Sequence, residues 1–327
     1  MIRQVSIVTG FLGAGKTTLA LGLIQSGAMR DVVLIVNDFG EASFDSIQIG
    51  STGASYRAMD GGCICCSVKD DLLKTLHEIP SLFPDKKMVW IETSGISDPA
   101  DLVTLFESSS FLFESYSLSS VVCVVDTRND FEWLMGQDSA PQQLALASCV
   151  VLNQHTRSDT DIDTLRTDIL SLNPIADVRV VSLRDDKPMP IDLFFGAVGY
   201  QTRGNEDNVS LHDHAHETHG FNTHTIRWNE SVDESLFSAA LEAWIESSDL
   251  DLLRLKGSVR TDDSGKYIVV QGVRKQVTFD YDDSDWPQAS TLVVIGRDIT
   301  KTMIDALHRQ ILTAQSDNRV EAEACQK

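Results

Sequence analysis

The sequence predicts an α/β protein: a parallel sheet with helices on both faces, followed by a smaller α+β domain. Three observations carry this. Short apolar runs alternate with helical stretches across residues 1–198. The first run passes into a glycine-rich turn that opens a helix. Beyond a polar stretch at 199–220 the character changes, to one alternating run at 222–228, a helical stretch and further strand candidates.

The elements follow in order. Residues 5–9 read as a short buried strand. Residues 17–26 read as a helix, with Leu19, Leu21, Leu23 and Ile24 among its apolar positions. Further buried strands fall at 32–36, 88–92, 121–126, 149–153 and 178–182, and those at 88–92 and 121–126 each end in an acid. Buried strands separated by helices imply parallel β-α-β units with right-handed crossovers. Helices then cover both faces of the sheet. Residues 199–220 are polar and read as a linker. After it come a strand at 222–228, a helix at 233–246, strands at 252–259, 267–271, 276–281 and 291–295, and a closing helix at 299–312. This order predicts an antiparallel sheet with helices on one side, spanning 221–327.

Length and charge narrow the function. A chain of 327 residues exceeds one typical core and suggests two domains. The net charge of -21 makes nucleic acid and anionic membranes poor partners. No apolar run of 18 residues occurs, and the N-terminus lacks the apolar core and cleavage site of a signal peptide. The expected location is the cytoplasm.

Gly10-Phe11-Leu12-Gly13-Ala14-Gly15-Lys16-Thr17 fits the phosphate-binding loop, G-x-x-x-x-G-K-[ST], between a strand and a helix as that motif requires. Its glycines let backbone N–H groups turn around an anion, and the helix start adds a positive dipole end. The expected nucleotide contacts are Gly10, Gly13, Ala14, Gly15, Lys16, Thr17 and Thr18. Lys16 is expected at the β- and γ-phosphates and Thr17 on Mg²⁺. The fold is therefore expected to be of the P-loop NTPase type. A second strand end, Trp90-Ile91-Glu92-Thr93-Ser94-Gly95, supports it. Glu92 is placed to hold Mg²⁺ through water or to polarise an attacking water, and Gly95 to offer its N–H to the γ-phosphate.

Six cysteines are present, and three crowd into Cys63-Ile64-Cys65-Cys66 after Gly61-Gly62. A tight turn there aims three sulfurs at one point. Thiolates suit Zn²⁺, Co²⁺ and Cu(I) alike, and a tetrahedral site needs one more ligand. A redox pair is the competing reading, but its usual β-α context is missing. Cys123 and Cys149 sit in apolar strands and read as core.

Together these motifs resemble the CobW-type P-loop GTPases, relatives of the nickel-enzyme maturation GTPases. The resemblance rests on GFLGAGKTT at 10–18, VNDFGE at 36–41, GGCICC at 61–66, ETSGISDP at 92–99 and VVCVVD at 121–126. It continues with LLRLKG at 252–257 and LVVIGRDI at 292–299, so it covers nearly the whole chain. It implies a GTP-dependent chaperone for zinc or cobalt that delivers metal to an apo-metalloprotein client. Cys63, Cys65 and Cys66 would form the transferred-metal site. Asp38 and Glu41 would lie in a switch segment and contact Mg²⁺ or the second metal.

Two positions depart from the family pattern. Asn37-Asp38-Phe39-Gly40 stands where Asn-Glu-Phe-Gly is usual. The guanine-reading Asn-Lys-x-Asp is replaced by Asn153-Gln154-His155-Thr156. Asn153 retains one base contact, but the carboxylate acceptor is lost, at a cost on the order of a few kcal/mol for a charge-assisted contact. The expectation is relaxed selection of GTP over ATP.

His212, His214, His216 and His219 lie within eight residues of the polar linker. Neutral imidazoles bind Zn²⁺, Cu²⁺, Ni²⁺ or Co²⁺. This segment reads as a metal-capture or buffering element, with a plain solvated linker as its alternative. Two other functions remain in view: a metal buffer or sensor with a degenerate nucleotide site, and a small-molecule kinase. The cysteine cluster argues against the kinase. Nothing in the sequence fixes an oligomeric state.

Overall fold

The computed structural model describes residues 1–37, 56–59, 67–154, 158–182, 194, 220–247, 250–262, 267–282 and 289–312. The chain divides into two compact units, Met1–Gln201 and Thr202–Lys327.

In the first unit the described strands form one parallel sheet. They are β1 (Arg3–Thr9), β2 (Val32–Asn37), β3 (Tyr56–Met59), β4 (Met88–Glu92), β5 (Tyr116–Asp126), β6 (Cys149–Asn153) and β7 (Asp177–Val181). Their order is β3-β2-β4-β1-β5-β6-β7. β1 lies between β4 and β5, where growth of the sheet changes direction. In an open α/β sheet the crevice beyond such a switch point is where ligands bind. The loop leaving β1 opens into it.

Burial on both faces explains the unbroken apolar runs. Val8, Leu34, Val36, Trp90, Val122, Val124 and Val151 pack with Leu19, Ala20 and Leu23 of the first helix, α1 (Lys16–Gln25). Their strand neighbours Ile7, Val33, Ile35, Val89, Ile91, Val121, Val150 and Leu152 point to the other face by the two-residue period. They are equally buried. A sheet apolar on both faces needs helices over each. α1 buries positions 16, 19, 20 and 23, one stripe at helical spacing. α2 (Ser67–Leu82) buries Leu72, Leu76 and Ile79 in the same way. The remaining helices of this unit are α3 (Ala100–Ser108), α4 (Ser110–Ser115), α5 (Phe131–Met135), α6 (Ala140–Leu146) and α7 (Asp159–Leu172). α7 starts at a serine cap, where Ser158 Oγ accepts from Asp161 N, and carries Asp159 and Asp161 in its first turn. Both features suit a helix N-terminus.

Most strand ends shift by one or two residues, and β5 and β3 depart further from the sequence expectation. β5 begins at Tyr116, five residues early, because Tyr116-Ser117-Leu118 pairs with Arg3-Gln4-Val5. Its serines hid the pairing from an apolar-run reading. β3 is too short and too polar to show a period, and is fixed by pairing with Leu34–Asn37 of β2.

The second unit is an antiparallel sheet of β8 (Phe221–Trp228), β9 (Asp251–Arg260), β10 (Tyr267–Val273), β11 (Gln276–Asp282) and β12 (Ser290–Arg297). The order is β11-β10-β9-β12-β8. One face carries Ile226, Trp228, Leu255, Val259, Ile268, Val270, Leu292 and Val294. Two helices cover it, α8 (Glu234–Ile245) through Phe237, Leu241, Trp244 and Ile245, and α9 (301–312) through Ile304, Leu307 and Ile311. α8 is capped by Asp233, whose Oδ1 accepts from Leu236 N at 2.9 Å. On the other face of β9, Arg254 and Lys256 are also buried. Burial, then the neighbouring Arg254 charge, pushes Lys256 well below the usual lysine range.

Cys123 and Cys149 lie on neighbouring strands of the first sheet and are buried. Burial pushes both thiols up to about 12. Below that value each thiol stays protonated, and the reactive thiolate is scarce at pH 8. Mass-spectrometric mapping after brief alkylation at pH 8 is expected to find both unmodified in native protein and modified in denaturant. Ready labelling of either one in the native state contradicts the core assignment.

Candidate nucleotide site

The loop after β1 is built by close approach. Gly10 has φ +137°, a value L side chains rarely adopt, and a Cβ there would stand 2.2 Å from the Val124 carbonyl oxygen on β5. Gly13 and Gly15 also have positive φ, at 75° and 101°. Gly15 is the N-cap of α1, and no acidic side chain occupies the first turn of that helix. Its positive dipole end is therefore open to an outside anion. Within the loop, Ala14 N donates to Phe11 O at 3.1 Å.

Lys16 is only 8 % exposed although it is a lysine. Its Nζ donates to Gly10 O at 2.8 Å and reaches Phe11 O at 3.5 Å. The ammonium thus lies folded over the loop carbonyls, within the segment that a phosphate would occupy. Thr17 Oγ1 donates to Glu92 Oε1 at 2.8 Å. Register explains this meeting: Val8 pairs with Glu92 across β1 and β4. The end of β4 therefore delivers its carboxylate beside the loop. A hydroxyl and a carboxylate at this separation are two oxygen ligands of the kind Mg²⁺ takes, so the residues fit that ion.

Two more strand ends converge. Asn153, at the end of β6, is buried, and its Nδ2 donates to Ala14 O at 3.1 Å. Its amide nitrogen therefore holds the loop, a role the sequence reading did not give it. Asp126, at the end of β5, is buried and pairs with Arg128, whose Nε lies 2.8 Å from Asp126 Oδ2. That pairing raises the Arg128 guanidinium further, chiefly through the hydrogen bond to Asp126. From α5, Trp133 packs edge-on against Phe11 of the loop, with ring centroids 5.4 Å apart. Asp130 caps α5 and so places that indole.

Gly95 sits in the turn after β4. A Cβ there would stand 2.7 Å from Leu12 N and 2.8 Å from Leu12 Cα. Gly95 is thus pressed against the phosphate loop itself. Its carbonyl accepts from Gln143 Nε2 at 3.1 Å and Ser139 Oγ at 3.3 Å. Neither residue carried a motif signal, because they lie 48 and 44 positions from Gly95 and meet it only through the fold.

Of the residues singled out from sequence, the structure brings together Gly10, Gly13, Ala14, Gly15, Lys16, Thr17, Glu92, Gly95 and Asn153. Thr18 follows Thr17 in the first turn of α1. Asp38, Glu41, Cys63, Cys65, Cys66, Thr156, His212, His214, His216 and His219 lie outside the described residues. Among the described residues, no group of three or more His, Cys, Asp or Glu is arranged to hold a metal ion.

Residues 4–179 match the CobW/HypB/UreG nucleotide-binding domain, and residues 221–312 match the C-terminal domain of the cobalamin synthesis protein CobW. The chain belongs to the CobW/HypB/UreG family. Two relatives are named as zinc chaperones. YjiA of Escherichia coli is 28 % identical, over 92 % of this chain and 96 % of its own length. CobW of Pseudomonas aeruginosa is 29 % identical, over 95 % and 91 %. The crystal structure of Zn(II)-bound YjiA GTPase from E. coli superposes with a TM-score of 0.70 at 25 % identity, covering 95 % of this chain and 99 % of that one. The family architecture, a parallel sheet plus a separate antiparallel C-terminal sheet, is the one described above. Among the described residues no helix is long and apolar enough to cross a membrane.

The Gly10 contact yields a direct test. Gly10→Ala places a methyl group against Val124 O at a strained φ, and is expected to lower stability by about 3 kcal/mol. Gly22→Ala, in α1 with open space around it, is expected to raise stability by about 0.5–1 kcal/mol. Urea unfolding of both variants reads the difference. Equal effects would contradict the close approach of loop and β5.

Proposed function

We propose that this protein is a GTP-dependent metal chaperone that binds zinc or cobalt at Cys63, Cys65 and Cys66, hydrolyses the triphosphate and hands the metal to an apo-metalloprotein client in the cytoplasm. The observation that carries the nucleotide half is the Thr17–Glu92 pair beside the Gly10–Thr17 loop. It sets two oxygen ligands and a buried lysine at one helix N-terminus. The metal half rests on the C-x-C-C sequence and on relatives named as zinc chaperones.

In this reading the loop N–H groups and Lys16 bind the β- and γ-phosphates. Bound Mg²⁺ would neutralise phosphate charge at Thr17 and Glu92. Glu92 orients water, either on that ion or for attack, and Gly95 N–H meets a γ-phosphate oxygen. Hydrolysis joins a water oxygen to the γ-phosphorus and breaks its bond to the β–γ bridging oxygen, leaving GDP and phosphate. Asp38 and Glu41 belong to the segment that links nucleotide state to the thiolates. His212, His214, His216 and His219 collect metal ahead of Cys63–Cys66. No arginine finger is recognised in the sequence, so turnover without a partner is slow.

Gating requires that each nucleotide favour a different metal affinity. Zn²⁺ affinity measured with GDP and with a non-hydrolysable GTP analogue is expected to differ at least ten-fold, about 1.4 kcal/mol. The difference should vanish when Cys65 and Cys66 are both replaced by alanine. Equal affinities in the unaltered protein would remove the gating step.

Base selection gives a second test. Thr156 cannot supply the carboxylate that guanine N1 and N2 call for, and the Asn153 amide nitrogen is spent on Ala14 O. ATP is expected to displace labelled GDP with a preference for guanine well below 1,000-fold, about 4 kcal/mol. A larger preference would mean that other residues read the base. These same departures favour a second reading, a metal buffer or sensor with a degenerate nucleotide site. Absence of hydrolysis with Mg²⁺ and Zn²⁺ present would select it.

A further inference from the structure

Gln143 is an unusual core residue. It lies on α6 with no exposed surface. Its Nε2 donates to Gly95 O at 3.1 Å and to Ser97 O at 3.0 Å. Two carbonyls on one nitrogen fix which end of the amide is which. Its Oε1 has no hydrogen-bond donor among the described residues. The side chain also lines a small cavity beneath the phosphate loop, together with Phe11, Leu12, Ala14 and Asp126.

A buried amide with an unmatched acceptor costs stability that an apolar residue of the same size would not. What this one secures is the turn after β4. Gly95 is held from two sides. Its carbonyl accepts from Gln143 and Ser139, and Leu12 of the loop stands where a Cβ on Gly95 would lie. Moving the turn by one ångström toward the loop would drive Gly95 into the Leu12 backbone. Displacing its carbonyl would lengthen the hydrogen bonds from Gln143 and Ser139. The two donors fix the plane of the Gly95–Ile96 peptide, and the close packing on Leu12 keeps the Gly95 backbone, its N–H included, beside the loop before any ligand arrives. Preorganised donors of this kind bind more tightly because no ordering is left to complete.

We infer that Gln143, seconded by Ser139, is a positioning residue for γ-phosphate recognition, acting through Gly95. The inference rests on the proposed nucleotide site. It goes further by assigning the distinction between triphosphate and diphosphate to an α6 side chain outside every motif. GDP lacks the γ-phosphate that Gly95 would meet in the proposed site, so loss of the anchor should affect the triphosphate alone.

The test uses the full chain with Mg²⁺, and measures affinity for GDP and for a non-hydrolysable GTP analogue. Gln143→Met keeps the volume and removes both donated hydrogen bonds. It is expected to weaken the triphosphate analogue on the order of ten-fold while GDP stays within about two-fold. Ser139→Ala removes one donor to Gly95 and is expected to shift the same ratio on the order of three-fold. It serves alone if Gln143→Met loses cooperative unfolding. A packing role would weaken both nucleotides equally or neither, and either result overturns the inference. Failure of the unaltered protein to bind any nucleotide would instead overturn the nucleotide site itself.

Discussion

The close approach of Gly10 to the Val124 carbonyl sets the geometry of the loop end of the first unit's sheet. Only a residue without a Cβ can pass that close to β5 at φ +137°. Because it does, the loop lies across the switch point of the sheet, within reach of the ends of β4, β5 and β6. Each of those strands then contributes one polar group at its last residue: Glu92, Asp126 and Asn153. A bulkier residue at position 10 would lift the loop off β5 and separate Thr17 from Glu92 and Ala14 from Asn153.

The groups around the loop divide by task. Lys16, Thr17 and Glu92 gather at the loop and the N-terminus of α1, where the proposed function places phosphate and cation. Asn153, Gln143, Ser139 and Trp133 hold backbone or ring partners and keep the loop and the Gly95 turn in register. Most of this second group donates to main-chain carbonyls: Ala14, Gly95 and Ser97. A carbonyl fixed by a buried donor fixes the peptide plane, and with it the direction of neighbouring N–H groups. The site is thus organised by side chains that need never touch a ligand.

The second unit follows a different logic. Its sheet buries one face under α8 and α9, and alternation survives at the edge of the sheet, while β9, β10 and β12 carry consecutive buried residues. β8 shows the alternation best, with Phe221, His224, Ile226 and Trp228 buried and Thr225 and Arg227 exposed. The buried His224 is satisfied by Ile299 O at 2.8 Å. β9 is buried on both faces, with Arg254 and Lys256 among the covered residues.

Features that depend on local chain geometry can be read from the residues alone. The Gly10–Thr17 motif, the apolar β1, β2, β4 and β6, the helical stretch of α8 and the alternation of β8 are all legible, because glycine conformations and side-chain periods are properties of neighbouring residues. So was the family, carried by motifs from residue 10 to 299. Tertiary structure decided what depends on distant residues meeting. Tyr116 extends β5 only because Arg3 pairs with it. Glu92 reaches Thr17 only because β4 lies beside β1 in that register. Asn153 turns its amide nitrogen to Ala14, 139 positions away, where the motif suggested only a base contact. Gln143 and Ser139 carried no signal, since a glutamine in a helix is ordinary until the fold sets Gly95 against it. Local preferences act within a few residues, whereas hydrogen bonds between strand ends and helices are set by packing, and no spacing along the chain encodes them.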